Sequence, residues 1–504
     1  MWKPAEIWKH GGEKLKRKLH DQILKIWEKE TVPQDWKDAN IVSLFKKGDR
    51  KDCGNYRGIS LLSIAGKIMA RIILNRLNTL LAHDILPETQ CGFRSGRSTI
   101  DMIFTLRQVQ EKCLEQNMPL YVIFIDFTKA FDTVSREALW VVLQKFGCSE
   151  KVVSLIKSFH QGMQAQASYE NESSERFDVT NGVKQGCVLA PVLFALYLTA
   201  MLEVAFKDSY EGVYIQTRPN ADLFKVSQFR AQTLTTRTLV REMLFADDSA
   251  IVSHSPEIMQ RLMDRFAKAA KQFSLNINIK KTDCLYQPPN TPNPGDIVEI
   301  RIDDKSLVTC SDFKYLGSIV SDKNKLDKEI QSRIGKASAA FSKLQERLWN
   351  NKDVIIKVKC KVYRAVVLST LLYGAETWTL YRYQVKKLHS YMMRHLRKIM
   401  NITWKDKIRN VVILERAGLP SMSDILMKKG LQWLRHVHRM EDSRLSKQIL
   451  YSQLSEGSRS CGRPKLHIKD VMKRNMKHKN INHSTWQRLA ENKQAWRNAI
   501  KCST

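Results

Sequence analysis

Glu242-Met243-Leu244-Phe245-Ala246-Asp247-Asp248-Ser249-Ala250-Ile251-Val252 places two adjacent carboxylates between apolar runs. Apolar flanks of that length around a polar dipeptide predict two short buried strands joined by a tight turn. An isolated Asp-Asp is the usual signature of a solvated turn. At the tip of a buried hairpin, however, two acids are costly unless a cation meets them, and a divalent metal is the usual partner. The choice between the two depends on a third carboxylate and a phosphate-binding surface elsewhere in the chain.

Leu120-Tyr121-Val122-Ile123-Phe124-Ile125-Asp126 offers the third carboxylate. Six β-branched or aliphatic and aromatic residues read as a strand buried on both faces, closed by Asp126. Folding alone explains an acid there poorly, whereas Asp132 lies closer to the next helix and fits a capping role. Gln185 and Gly186 stand before the apolar run Val188–Leu202 and predict backbone N–H groups at a helix N-terminus, a site suited to phosphate. Ala39–Asp52 reads as a strand entering a basic turn with Lys46 and Lys47, followed by Asn55-Tyr56-Arg57-Gly58. Gln90–Asp101 holds two glycines, two arginines (Arg94 and Arg97) and three hydroxyls. Its hydroxyls are Ser95, Ser98 and Thr99, and it reads both as a loop capping the next helix and as a surface with forked donors for phosphate.

The chain has 504 residues, 43% of them hydrophobic, enough to bury sizeable cores in two to four domains. Its formal charge of +32 points to a polyanionic partner, nucleic acid first. The ten cysteines contain no Cys-x-x-Cys pair, which argues against a zinc ribbon or a disulfide framework and for a reducing, intracellular setting, nuclear or cytoplasmic. No signal-peptide core is present at the start, and the longest apolar run, broken by Pro191, falls short of the roughly 20 residues a membrane span needs. No membrane partner is expected.

Helical periodicity is expected over 13–30, 64–81, 99–113, 135–146, 150–161 and 255–273, and strands over 275–279 and 313–320. Residues 207–241 read as an extended hairpin or insertion. From about 326 the pattern turns to helices, including 327–349, 353–373 and 383–400. Residues 401–504 hold 22 Lys and Arg against 8 Asp and Glu, with Trp404, Trp433, Trp486 and Trp496 at helical spacing from other apolar residues. That region is expected to be folded and to bind nucleic acid. Cys461, His467, His478, His483 and Cys502 lack zinc-knuckle spacing.

Taken together, Phe124–Asp132, Gln185-Gly186-Cys187 and Phe245-Ala246-Asp247-Asp248 resemble the three palm motifs of reverse transcriptases. The Phe-Ala-Asp-Asp form, the segment Asn55–Ser63 and the Gln90–Asp101 stretch are similar to non-LTR, LINE-type elements. The resemblance implies an α+β right-hand polymerase: fingers with N-terminal helices over 1–119, a palm with an antiparallel sheet over 120–322, a helical thumb over 323–400, and the basic helical region 401–504. It implies an RNA template, a DNA primer or target, and deoxynucleoside triphosphates, joined by two-metal nucleotidyl transfer with two Mg²⁺ (Mn²⁺ as substitute). Asp126 and Asp247 would be principal ligands, with Asp248 and the backbone carbonyl of Phe127 assisting. Lys281 would protonate the leaving pyrophosphate. Phe131 would exclude a ribose 2′-hydroxyl; Gln185 and Gly186 would contact the nucleotide, and Lys46 and Arg57 its phosphates. Arg94 and Arg97 would contact nucleic acid, and Tyr315-Leu316-Gly317 would grip the primer end. Two departures stand out: Ala190 where Ser is common, and no segment resembling the family's endonuclease, from which a truncated copy is expected. The alternative reading is a decayed or co-opted remnant that binds RNA or DNA without polymerising.

Overall fold

The computed structural model describes residues 5–46, 48–81, 85–169, 172–218, 222–225, 228, 233–290, 299–459 and 465–501. Cys461 and Cys502 lie outside them, as does Lys47. Among the described residues no helix is long and apolar enough to cross a membrane.

The N-terminal part pairs β1 (Ala39–Phe45) antiparallel with β2 (Tyr56–Leu61) and parallel with β3 (Gln164–Tyr169) in the order β2-β1-β3. The amphipathic helix α1 (Gly12–Lys29) precedes this sheet, and α2 (Ile64–Leu81) packs Met69, Ile73 and Leu77 into the adjoining core. A second sheet carries the acidic motifs. Its centre is β4 (Leu120–Ile125), flanked by β5 (Asp248–Ser253) and β6 (Asp283–Gln287), with β7 (Glu242–Phe245) and β8 (Val308–Cys310) at the edges. All its pairings are antiparallel except that between β6 and β8.

Every residue of β4 is buried because both faces of the sheet are covered. Tyr121, Ile123 and Ile125 point to one core, with α3 (Ala190–Phe206) and α4 (Pro256–Gln272). α3 is apolar on almost all sides, as a helix enclosed by its neighbours should be. α4 has one apolar stripe and an N-cap at Ser255, whose hydroxyl accepts from Ile258 N–H. Leu120, Val122 and Phe124 point to a second core shared with α5 (Thr99–Glu115) and with residues 431–500.

The third core is helical. It joins α6 (Asp327–Ser342) and α7 (Arg382–Ile399) and continues through Ile413, Ala417, Leu419 and Met422. This cluster therefore does not end at residue 400 as expected. The remainder, including α8 (Met422–His438), α9 (Leu445–Leu450) and α10 (Ile468–His478), closes the back of the central sheet. Its strand Ser452–Leu454 pairs with Val213–Thr217, which in turn pairs with Thr236–Val240. The expected hairpin in 207–241 is present, and the basic C-terminal region completes its sheet.

Two strand expectations are corrected. Residues 275–279 form only a single bridge, Phe127 to Ile277, before a 3₁₀ turn at Ile279–Lys281; the regular strand is Asp283–Gln287. Alternating apolar residues at 275–279 mimic a strand but serve to seat that turn. Residues 313–320 form two strands, Asp312–Tyr315 and Ser318–Ser321, because Leu316 and Gly317 take positive φ of 46° and 81° and fold the chain back.

Candidate active site

Register places the acids together. Ser249 lies opposite Ile125, so Asp126 leaves β4 at the level where Asp248 begins β5. Asp247 occupies the two-residue turn Ala246-Asp247, closed by the pairing of Asp248 with Phe245. Burial raises the Asp247 carboxyl above the usual carboxylate range, and nearby Asp126 pushes the same way. Asp248 is open to solvent at its tip, yet its surroundings are dense; desolvation, then Asp247 and Asp126, push it up to about 6. Arg57, projecting from β2, opposes both shifts. The arginine of the first sheet therefore faces the carboxylates of the second. Lys46 lies near Asp132, whose carboxyl is raised by burial and lowered by Lys129 and Lys46.

Asp126 pushes up the carboxyls of Asp247 and Asp248, and repulsion of that kind is what a hard divalent cation would relieve. Among the described residues, no group of three His, Cys, Asp or Glu side chains is placed to hold an ion unaided. A Mg²⁺ shell here would thus need water and substrate phosphate oxygens, as Mg²⁺ shells commonly do. Asp126 is steadied by Thr282, whose hydroxyl accepts from its N–H at 3.3 Å, and its carbonyl accepts from Asn278 N–H at 2.7 Å. Lys281 reaches Asp126 itself, with Nζ 3.5 Å from Oδ2. Phe127 buries its ring against Phe266, which leaves only its backbone toward the site.

Phe131 is half-buried, with its ring centroid 4.7 Å from that of Phe194 on α3. Gln185 accepts from Ser60 N–H at 2.9 Å through its carbonyl. Gly186 has φ +105°, and a Cβ there would come within 2.8 Å of Ser60 O. The Gln-Gly pair is thereby locked onto the edge of β2, beside Arg57. The helix expected to open at Gly186 begins only at Ala190, so no helix N-terminus stands at the glycine.

The Gln90–Asp101 loop does something the sequence reading missed. Gln90 is fully buried, and its side-chain amide reads both polar atoms of Ala246: Oε1 accepts from Ala246 N–H at 3.0 Å, and Nε2 donates to Ala246 O at 3.4 Å. Cys91 N–H donates to Leu244 O at 2.9 Å, and Leu244 N–H to Thr89 O at 3.0 Å, extending the sheet by one short parallel rung. Gly92 approaches so closely that a Cβ would lie 2.2 Å from Ala246 N. Ala246 sits at φ +58°, a conformation that costs an L-residue roughly 1–2 kcal/mol. The loop is a clamp on the acidic turn. The glycines were the visible signal, since they let a backbone come close, but they pointed equally to a bound phosphate.

Arg94 and Arg97, expected to contact nucleic acid, both have partners inside the protein. Arg94 donates to the carbonyls of Pro87 and Gln90, and Arg97 pairs with Glu88 at 2.6 Å, both within their own loop. The same loop is bolted from outside by Arg444, which meets Glu88 at 2.8 Å and buried Asp101 at 3.2 Å. Asp101 also completes a capping box with Ser98 at the start of α5. Tyr315, expected with Leu316 and Gly317 to grip a primer end, turns its side chain inward. It is 2% exposed and donates to Met243 O at 3.1 Å, which pins β7 from beneath. The carbonyls of Leu316 and Gly317 accept from Tyr373 and Arg333, so the turn is anchored to the helical unit. Arg333 in turn pairs with buried Glu329 at 2.7 Å and lies over the Tyr373 ring.

A model of the reverse transcriptase (RNA-dependent DNA polymerase) family matches residues 45–320, more than half of the chain and all of the acidic motifs. The probable RNA-directed DNA polymerase from transposon X-element of Drosophila melanogaster is 23% identical over 418 residues, covering 81% of this chain and 42% of that protein. The RNA-directed DNA polymerase from mobile element jockey of Drosophila funebris is 24% identical over 455 residues, 86% of this chain and 46% of that protein. The chain thus spans less than half the length of these relatives. Among solved structures, apo telomerase from Candida tropicalis truncated from its C-terminal domain aligns at 12% identity and TM-score 0.38, over 62% of this chain and 59% of that one, a likeness that carries no argument. The chain belongs to the reverse transcriptase (RNA-dependent DNA polymerase) family.

Proposed function

We propose that this chain is the polymerising part of a non-LTR retrotransposon reverse transcriptase, extending a DNA primer on an RNA template from deoxynucleoside triphosphates. The observation that carries the reading is the meeting of Asp126, Asp247 and Asp248 on paired strands with Arg57 across the gap. Residues 1–119 act as fingers, 120–322 as palm, and the helices from 323 as thumb.

Asp126 and Asp247 are the principal holders of Mg²⁺, with Asp248 and the Phe127 carbonyl assisting. Bound there, Mg²⁺ would supply Lewis-acid chemistry, acidifying a 3′-hydroxyl and offsetting charge on the leaving pyrophosphate. The chain's own residues do the rest. Arg57 and Lys46 bind the triphosphate from the fingers side, and Gln185-Gly186 bounds the nucleotide from the β2 edge. The Phe131 ring, held by Phe194, leaves no room for a 2′-hydroxyl. Lys281 donates a proton to the departing pyrophosphate, its ammonium held near the reaction by Asp126. The Gln90 clamp keeps the Asp247 turn at one position and so pre-organises the donors.

Incubating the purified chain with a primed RNA template, deoxynucleotides and Mg²⁺ tests the reading. Extension lost in Asp247→Asn with template binding retained supports it. Wild-type protein that binds primed template and adds no nucleotide refutes it.

A further inference from the structure

The helix α7 carries Arg382, Lys386, Lys387, Arg394, Arg397 and Lys398, and has no Asp or Glu in its 18 residues. Its buried side is apolar: Leu388, Met392, Leu396 and Ile399 enter the third core. The exposed side runs Arg382, Lys386, Ser390, Arg394, Lys398 at a strict spacing of four. Residues four apart are neighbours on a helix, so these form a ridge with a repeat of about 6 Å that rises about 24 Å and winds across the exposed half of the helix. Among the described residues, none of the four cations has a carboxylate within ion-pair distance. Self-repulsion along such a ridge is unfavourable for folding, is screened in part by salt, and is relieved most fully by a polyanion.

Each end of the ridge offers a place for a base. Beyond the C-terminus, Trp404 is 83% exposed on a 3₁₀ turn fixed by a capping box, in which Asp406 accepts from Thr403 N–H at 2.6 Å and from its hydroxyl at 2.8 Å. With Asp406 so engaged, the cations Lys405, Lys407 and Arg409 follow the indole in sequence without a carboxylate of their own turn to offset them. At the N-terminal end a cavity of about 420 Å³ opens between α7 and α10, with Trp378, Met427 and Met472 in its lining and Arg382, Lys386 and Arg474 as its cations. Its one carboxylate, Glu376, is neutralised by Lys429 at 2.6 Å.

We propose that the outer face of α7, from this cavity to Trp404, is a binding track for single-stranded nucleic acid. Phosphates follow the ridge, and unpaired bases stack on Trp404 and enter the cavity. The occupant is single-stranded because flat aromatic and apolar surfaces stand beside the cations, and paired bases could not reach them. The inference does not depend on polymerisation. It also moves nucleic-acid binding away from much of 431–500, whose inner surface closes the central core.

The test measures binding of labelled 20-nucleotide oligo(A) RNA and oligo(dT) DNA across a salt series. Replacing Arg382, Lys386, Arg394 and Lys398 by Gln is expected to weaken both by at least about tenfold and to flatten the log–log salt slope by about 2–3. Trp404→Ala, on an exposed side chain, is expected to weaken binding about fivefold or more with the salt slope unchanged. The variant with Lys at 382 and 394 keeps the charge and should bind as wild type. A thermal melt checks that each variant folds. Affinities within twofold of wild type for the folded Gln variant, or weakening confined to duplex, would overturn the track. A wild-type chain that binds these strands and extends no primer would refute the proposed function alone.

Discussion

Gln90 holds Ala246 by both of its backbone polar atoms, and Ala246 is the residue before the first acid of the Asp-Asp turn. The donor that fixes a catalytic turn thus comes from a loop more than 150 residues earlier in the chain. A buried amide with two such bonds cannot shift without leaving polar groups unsatisfied, at about 1–3 kcal/mol each.

Gln90→Ala is expected to slow single-turnover nucleotide addition by about 10–100-fold, with primer–template affinity unchanged within twofold. Gly92→Ala should be at least as damaging, because its Cβ would meet a backbone nitrogen that cannot swing aside. Rapid-quench measurement of the first addition checks both. Equal losses in affinity and rate would show that the loop touches nucleic acid instead.

Arg444 joins the C-terminal region to the same loop through Glu88 and Asp101. Arg444→Met strands two acids, one of them deeply buried, and breaking such a pair costs on the order of 3–5 kcal/mol. A clearly lowered thermal midpoint is expected, together with reduced extension. Truncation after residue 430 should leave insoluble protein, since Trp433, Leu434 and Ile449 cover the second face of the central sheet. A soluble, active truncation would contradict that packing.

His160 is buried, with Nδ1 2.8 Å from Ile156 O, and burial pushes its imidazole down to about 3. A folded value below the unfolded one of about 6.5 means that the unfolded chain binds the proton first. The contribution of neutral His160 is therefore present above pH 6.5 and lost as pH falls toward 3. His160→Gln should flatten the acid limb of a stability–pH profile recorded by denaturant unfolding. An unchanged limb would mean that other groups set the acid transition.

Phe131→Ala removes the ring beside Phe194, and ribonucleotide incorporation relative to deoxynucleotide is expected to rise at least about tenfold. Competing incorporation from mixed nucleotide pools checks it. An unchanged ratio would place the sugar selection elsewhere.

Local periodicity carried much of this architecture. The helix at Ile64–Leu81 lies where its apolar spacing placed it, and the strand at Leu120–Ile125 is buried on both faces as its unbroken apolar run implied. Asp126 and the Asp247 turn were legible because acids at the ends of buried runs have few structural uses. What sequence could not supply was the partner of each polar side chain. Arg94, Arg97 and Tyr315 have the composition of ligand contacts and are consumed inside the fold, and nothing near Gln90 names Ala246. Two-strand turns such as Leu316-Gly317 escape notice because a strand's alternation continues through them in sequence while the backbone reverses.

The most direct measurement is primer extension on an RNA template with Mg²⁺ by the wild type and by Asp126→Asn, with template binding recorded in parallel. Extension by the wild type, reduced at least about 10³-fold in the variant at unchanged binding, is the expected result. Wild-type protein that binds the primed template and extends nothing, or an Asp126→Asn variant that extends as well as wild type, would contradict the account.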